Sequence, residues 1–273
     1  MNMDSKLTQR QSKHEIAFSL VEVMVAVGLL TVIIIALLAM FYQTQRAFRG
    51  GLTQIDVLEN GRAALQLISR EMREMAAAGE PGVTNFNFAL IRKSTLDSPA
   101  SGFRYMINDL TFLRRVNDDW IGTVYKVAQP EYGAGILHRF TTNVVRTNVV
   151  ALDRFLGTVV PGVGGFNRIV DGVVHFEVFA YDQSGNLIPQ PEPQGGYLFS
   201  SNDLPAYIDL ELGLLEPKSF EQFRIRAEKS QADGLRYLTN QWVAGRVHLF
   251  KDRIAIHNRS FAPFLTNSLS STN

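Results

Sequence analysis

From Val23 to Tyr42 the chain runs for 20 residues without a charge, VMVAVGLLTVIIIALLAMFY, and no other feature restricts its possible folds so strongly. At about 1.5 Å per residue, a helix of that length covers about 30 Å, the thickness of a bilayer's hydrocarbon core. A buried helix of a soluble domain is the alternative reading. Such helices seldom stay apolar on every side for so long, so a single membrane-spanning helix is expected. The segment before it, MNMDSKLTQRQSKHEIA, is polar. An ordinary secretory signal would instead place a small-residue cleavage site after a shorter apolar region, and no Ala-x-Ala closes this one.

The junction between leader and apolar run reads Ala17-Phe18-Ser19-Leu20-Val21-Glu22-Val23-Met24-Val25-Ala26. It resembles the prepilin cleavage and methylation motif, in which a small residue, usually Gly, precedes Phe, a Ser/Thr-Leu-hydrophobic-Glu sequence and an apolar helix. Ala17 stands here in place of the usual Gly. The resemblance implies that a prepilin peptidase cuts between Ala17 and Phe18 on the cytoplasmic side, and that the new Phe18 amine is then methylated. It also implies that Glu22, at the fifth mature position, registers subunits by meeting the free amine of a neighbour's first residue. Physics makes Glu22 informative by itself, because a carboxylate in a membrane helix costs a few kcal/mol unless it is paired or lies near an interface. Lys6, Arg10 and Lys13 favour a cytoplasmic N-terminus, but Arg46 and Arg49 flank the other end, so charge bias alone decides little.

Beyond Tyr42 the pattern becomes amphipathic. Phe48, Leu52, Ile55, Leu58, Leu65, Ile68, Met72 and Met75 recur at helical steps, with Gln, Arg and Glu on the other faces. One helix from about Phe18 to Ala78 is expected, stopped by Gly79-Glu80-Pro81-Gly82, with Gly50-Gly51 and Gly61 as points of kinking. Glu59 to Leu65, followed by Ile68, Arg70 and Met72, resembles the helix of W-type minor pilins and J-type pseudopilins.

After Asn85 short alternating runs predict strands at Gly102–Asn108, Leu110–Val116, Trp120–Ala128, Gly135–Thr142, Val170–Asp182, Leu204–Leu212 and Val243–Phe250. Gly122 to Val127 with Gly135 to Arg139 resembles the Val-x-Tyr and Leu-x-Arg hairpin of J-type pseudopilins; Val170 to Asp182 and Leu204 to Leu212 resemble later strands of that group. Leu187–Gly196, with three prolines, reads as an exposed loop. Ser219–Lys229 reads as a short helix with Ser219 and Gln222 spaced as a capping box. Both look like additions, read as surface that varies or that meets a partner.

Composition removes other classes. There is no cysteine, which excludes disulfides, thiolate nucleophiles and Cys-based zinc sites. With 27 Lys+Arg against 26 Asp+Glu and no basic stripe, no nucleic-acid contact is evident. The five histidines, at positions 14, 138, 175, 248 and 257, form no helical metal pair; His175 and His248 read as strand faces. Gly162-Val163-Gly164-Gly165 lacks the rest of a phosphate loop and reads as a turn. Asp118-Asp119 and the turn Asp182 to Asn186 supply too few oxygens for calcium and read as solvated turns. No catalytic residue, metal or cofactor is expected.

The expected architecture is α+β: a long N-terminal helix packed on an antiparallel β-sheet head of pilin-like form. Its parts are a leader at 1–17, a transmembrane half at 18–42, an amphipathic half at 43–78, a β-rich periplasmic or extracellular head at 86–262 and a tail at 263–273. The resemblance implies a minor pilin or pseudopilin assembly subunit of the inner membrane. Its partners would be prepilin peptidase, other pilins or pseudopilins and membrane lipid. The alternative is a membrane-anchored periplasmic ligand-binding protein with an uncleaved leader.

Overall fold

The computed structural model describes residues 19–79, 82–93, 106–117, 119–145, 165–190 and 196–257. The leader, Ala17, Phe18, Asp118, Gly162 to Gly164 and the tail lie outside them. The chain divides into two compact units, Met1–Leu52 and Thr53–Asn273. Helix α1, Leu20–Arg73, contributes to both. In the first unit it carries the apolar run, none of which is buried within the protein, and the mean hydropathy of its best 18-residue window is 3.0.

The second unit is α+β. Its strands are β1 Thr84–Lys93, β2 Met106–Val116, β3 Asp119–Val127, β4 Gly135–Val145, β5 Asn167–Tyr181, β6 Gly196–Ser200, β7 Tyr207–Leu215 and β8 Val247–Ala255. They form one sheet in the order β6-β1-β2-β3-β4-β5-β7-β8, antiparallel between neighbours. The sheet is split: Ile107 of β2 also pairs parallel with Phe176 of β5, beyond the turn of the β3–β4 hairpin that separates those strands elsewhere. Between β7 and β8 the chain forms three helices, α2 Pro217–Lys229, α3 Gln231–Leu238 and α4 Gln241–Ala244.

Strand alternation assigns the faces. Ile208, Leu210, Leu212 and Leu214 of β7 are buried, as a period of two requires, and join Ile68, Met72, Phe176 and Tyr125 in the main core under α1. Leu215, the next residue and therefore on the opposite face, belongs to a second cluster with Phe223, Tyr237 and Val243. On β5 a register shift at Val173–His175 lets Val173 face the first cluster and Val174 the second. The sheet thus buries apolar surface on both sides, α1 against one and the β7–β8 helices against the other.

Several expectations are corrected. The helix stops at Arg73 rather than Ala78, because Met75, Ala76, Ala77 and Ala78 are all buried, which no single helix face allows. They are extended instead: Met75 bridges Arg114, and the Ala76 amide donates to the Leu113 carbonyl at 3.2 Å. The packed stripe begins at Val57, while Phe48, Leu52 and Ile55 are 47% exposed or more. Gly61 is not a kink. A β-carbon there would lie 2.3 Å from the Phe250 ring, so glycine lets the helix approach β8.

Asp109 does not break a turn between two strands. It lies inside β2, paired with Lys126 of β3 at 3.2 Å. Strand β1 was not among the expected strands. The Leu204–Leu212 expectation shifts to Tyr207–Leu215, and Val243 belongs to α4, not to the last strand, which runs Val247–Ala255. Helix α2 starts at Pro217, whose fixed φ suits the first helical position, so Ser219 falls inside the helix and forms no capping box.

Candidate functional site

The start of α1 is built from short-range chemistry. Ser19 precedes the helix, and its Oγ accepts the Val21 amide at 3.2 Å, while the Val23 amide donates to the Ser19 carbonyl at 3.2 Å. Ser19 therefore caps the helix. Glu22 falls three residues later, in the first turn, where a negative charge is favoured by the free amides and the helix dipole. After it no charge occurs until Arg46. The Thr31 hydroxyl, the one side-chain hydroxyl between Val23 and Phe41, donates to the Val27 carbonyl at 2.8 Å, so it is satisfied within the helix. Thr44 does the same with Met40 at 2.9 Å. A helix in hydrocarbon needs this internal pairing, because no water is present to supply it.

A second constellation fixes α1 on the sheet of the second unit. Glu71, 2% exposed, stands one turn after Ile68 on the buried side of α1. The Tyr125 hydroxyl of β3 donates to its Oε2 at 2.5 Å. Arg139 of β4 grips both of its oxygens, with Nε at 3.0 Å from Oε2 and the second contact to Oε1. Arg114 of β2 approaches Oε1 at 3.1 Å and also bonds Glu74 at 2.7 Å. Burial alone would raise the Glu71 pKa. Hydrogen bonds from Arg139 and Tyr125 and the charges of Arg114 and Arg139 outweigh it and hold the carboxyl below its ordinary range. Burial, the Glu71 charge and its hydrogen bond push the Tyr125 phenol up. The cluster is an ionic clamp from one helix to three strands.

The Tyr and Arg of the expected hairpin motif, Tyr125 and Arg139, are two of the three side chains that reach Glu71. Glu71 itself reads in the sequence as part of the polar faces, and the structure buries it. The overlooked signal is its spacing, three after Ile68 and seven after Ala64, which places it on the buried stripe.

His175 lies on β5 as a buried strand residue. Its Nδ1 accepts the Met106 amide at 3.0 Å, at the seam where β2 meets β5, so Nε2 carries the proton and faces Glu211 at 3.3 Å. Glu211 sits directly across from Glu177, a like-charge pair. The hydrogen bond from His175 first, and the Lys251 ammonium at 2.5 Å next, hold Glu211 below its usual pKa. His248 faces Glu216 at 3.6 Å, and His138 Nδ1–H donates within its own strand to the Ile136 carbonyl at 3.0 Å. Asp182 spends its carboxylate on the amides of Ser184 and Asn186, both at 2.8 Å, which closes a turn. Asp119 is the first residue of β3.

Among the described residues no group of three or more His, Asp or Glu side chains is placed to hold a metal ion. A cleft of about 420 Å³ between α1, β5 and α2 holds four charged residues, and these pair with each other, Arg168 with Asp171 and Arg224 with Glu221.

Structure and sequence together define an α+β protein with one N-terminal helix long and apolar enough to cross a membrane. Compared with known proteins, the chain matches no family model and no curated protein.

Proposed function

We propose that this chain is a prepilin-like assembly subunit, a minor pilin or pseudopilin held in the inner membrane by α1 and then incorporated at or near the tip of a filament. A prepilin peptidase removes the leader between Ala17 and Phe18, Phe18 is methylated, and the second unit lies outside the cytoplasm as a pilin-like head. The observation that carries the reading is Glu22: a single carboxylate, in the first turn of a capped helix, ahead of a run whose remaining polar groups are internally satisfied. Placed near an interface its cost is small, and an amine from a neighbouring chain removes the rest. Convergence of Tyr125 and Arg139 on Glu71 adds support, because it gives the hairpin motif a physical task. No catalytic group is assigned, and the chain acts by assembly and not as an enzyme.

The test is the intact mass of the mature protein recovered from membranes. A chain beginning at methylated Phe18 is expected. An intact Met1 overturns the reading and favours a tethered ligand-binding protein, which would also be indifferent to Glu22→Ala. In the proposed subunit Glu22→Ala keeps membrane insertion but lowers filament incorporation at least tenfold.

A further inference from the structure

The β7–β8 connection is far longer than the sheet requires. Leu215 and Val247 pair directly across the two strands, and about two residues suffice to close such a hairpin. The chain between them instead builds α2, α3 and α4 around the buried side chains of Phe223, Tyr237, Leu238 and Val243. From buried Tyr237 of this small core a ladder of cations and rings runs out to the surface. The Arg226 guanidinium lies 4.5 Å over the Tyr237 ring, Tyr237 meets Trp242 edge-on at 5.3 Å, and the Arg246 guanidinium lies 5.0 Å over Trp242.

The ladder is held in place before any partner arrives. Arg226 donates to the Gln222 carbonyl at 2.8 Å, the Tyr237 hydroxyl to Gln222 Oε1 at 3.1 Å, and Arg246 to Ser219 Oγ at 3.3 Å. Trp242 nevertheless stays 49% exposed, whereas Trp120, the only other tryptophan, is buried. Neither Arg226 nor Arg246 has a carboxylate partner among the described residues. Arg224 on the same helix differs, with Glu221 at 3.0 Å and Glu228 at 3.8 Å.

Trp, Tyr and Arg in fixed positions are the side chains that carry most binding energy at protein interfaces. Two cations with no carboxylate partner among the described residues, beside an exposed indole, select an anionic occupant with an apolar side chain. Single-stranded nucleic acid would need open ring faces and a groove of cations along its backbone. Arg246 already covers one face of Trp242, and the chain's net charge is only +1. We propose that the α2–α4 insertion is a docking surface for a protein partner presenting acidic side chains around an apolar one, with Trp242 as the anchor and Arg226 and Arg246 as the charge-reading pair. It rests on the insertion alone and is independent of how the N-terminus is processed.

The experiment places a photo-crosslinking p-benzoylphenylalanine in the full chain in its native cells, once at Trp242 and once at exposed Arg236, and maps the adducts to peptides. The expected product is one partner protein crosslinked through an acidic segment. Its yield should fall at least tenfold in the Arg226→Glu, Arg246→Glu double variant of the Arg236 probe, and return when the partner's acids are changed to Arg. Adducts confined to nucleic acid, lipid, a second copy of this chain or a neutral or basic peptide overturn the proposal. So does the absence of any protein adduct from both positions, or a yield that charge reversal leaves unchanged. Maturation at Phe18, read in the same samples, reports separately on the subunit reading.

Discussion

Glu71 shows how one side chain joins a helix to a sheet, and its energetics set two expectations. Removing one partner of a buried ion cluster leaves the others uncompensated, at a cost of about 3–5 kcal/mol. Glu71→Ala strands Arg139, whose side chain is only 19% exposed, and leaves Arg114 with Glu74 alone, so a loss in that range is expected in urea unfolding of the full chain in detergent. Glu71→Gln keeps the shape and removes the charge, and it separates packing from titration. Because the folded-state pKa lies below the ordinary carboxylate value of 4.5, folding gains from this group above that value and loses the gain as pH falls through the depressed folded pKa. The wild-type midpoint should therefore drop with acidification below about pH 4.5, and the Gln variant should show a shallower drop. Equal acid slopes for the two proteins would contradict the account.

At the scale of elements, glycine has two different uses in α1. A β-carbon on Gly50 or Gly51 meets nothing within 4 Å, whereas on Gly61 it meets the Phe250 ring at 2.3 Å. Leucine at Gly61 must push β8 and α1 apart, at about 1–3 kcal/mol, a loss to be read from thermal unfolding. Alanine at Gly50 and Gly51 should raise helical content by circular dichroism without that loss. Strand alternation and turn residues made β3, β4 and β5 legible in the sequence to within a few residues. What stayed hidden was decided by partners distant in the chain. Asp109 looks like a turn residue until Lys126 neutralises it inside the sheet. The alanines after Met75 look helical until β2 captures the Ala76 amide. Ser219 matches a cap locally, but Pro217 starts the helix first. For the candidate site, the junction at Ala17, Phe18 and Glu22 is an expectation from sequence, with Ala17 and Phe18 outside the described residues, and the structure adds the capping by Ser19. The Glu71 clamp is not legible locally, because a charged residue on an amphipathic helix reads as solvent-facing until its partners on β2, β3 and β4 are in place.

At the scale of the whole molecule, the apolar run must be strong enough to hold the chain in a bilayer, and magnitudes allow a graded test. On an insertion scale, Leu, Ile, Val and Phe each contribute about −0.3 to −0.6 kcal/mol near the helix centre, so the Val23–Tyr42 run sums to roughly −4 to −7 kcal/mol. A central lysine adds about 2.5–3.5 kcal/mol and removes the favourable residue it replaces, a swing of about 3–4 kcal/mol. Ile34→Lys alone should leave the chain in the membrane fraction after alkaline extraction. Ile34→Lys with Leu37→Lys, about 6–8 kcal/mol in all, should release most of it. A soluble fold in which α1 were a core helix would behave differently: either lysine would be buried within protein and unfold the chain, and no graded release would follow. Neither replacement touches the Glu71 clamp or the β7–β8 helices, so the second unit should retain its acid transition in both variants. Retention of the single variant and release of the double variant, with that transition unchanged, assigns membrane attachment to the charge-free helix rather than to the sheet.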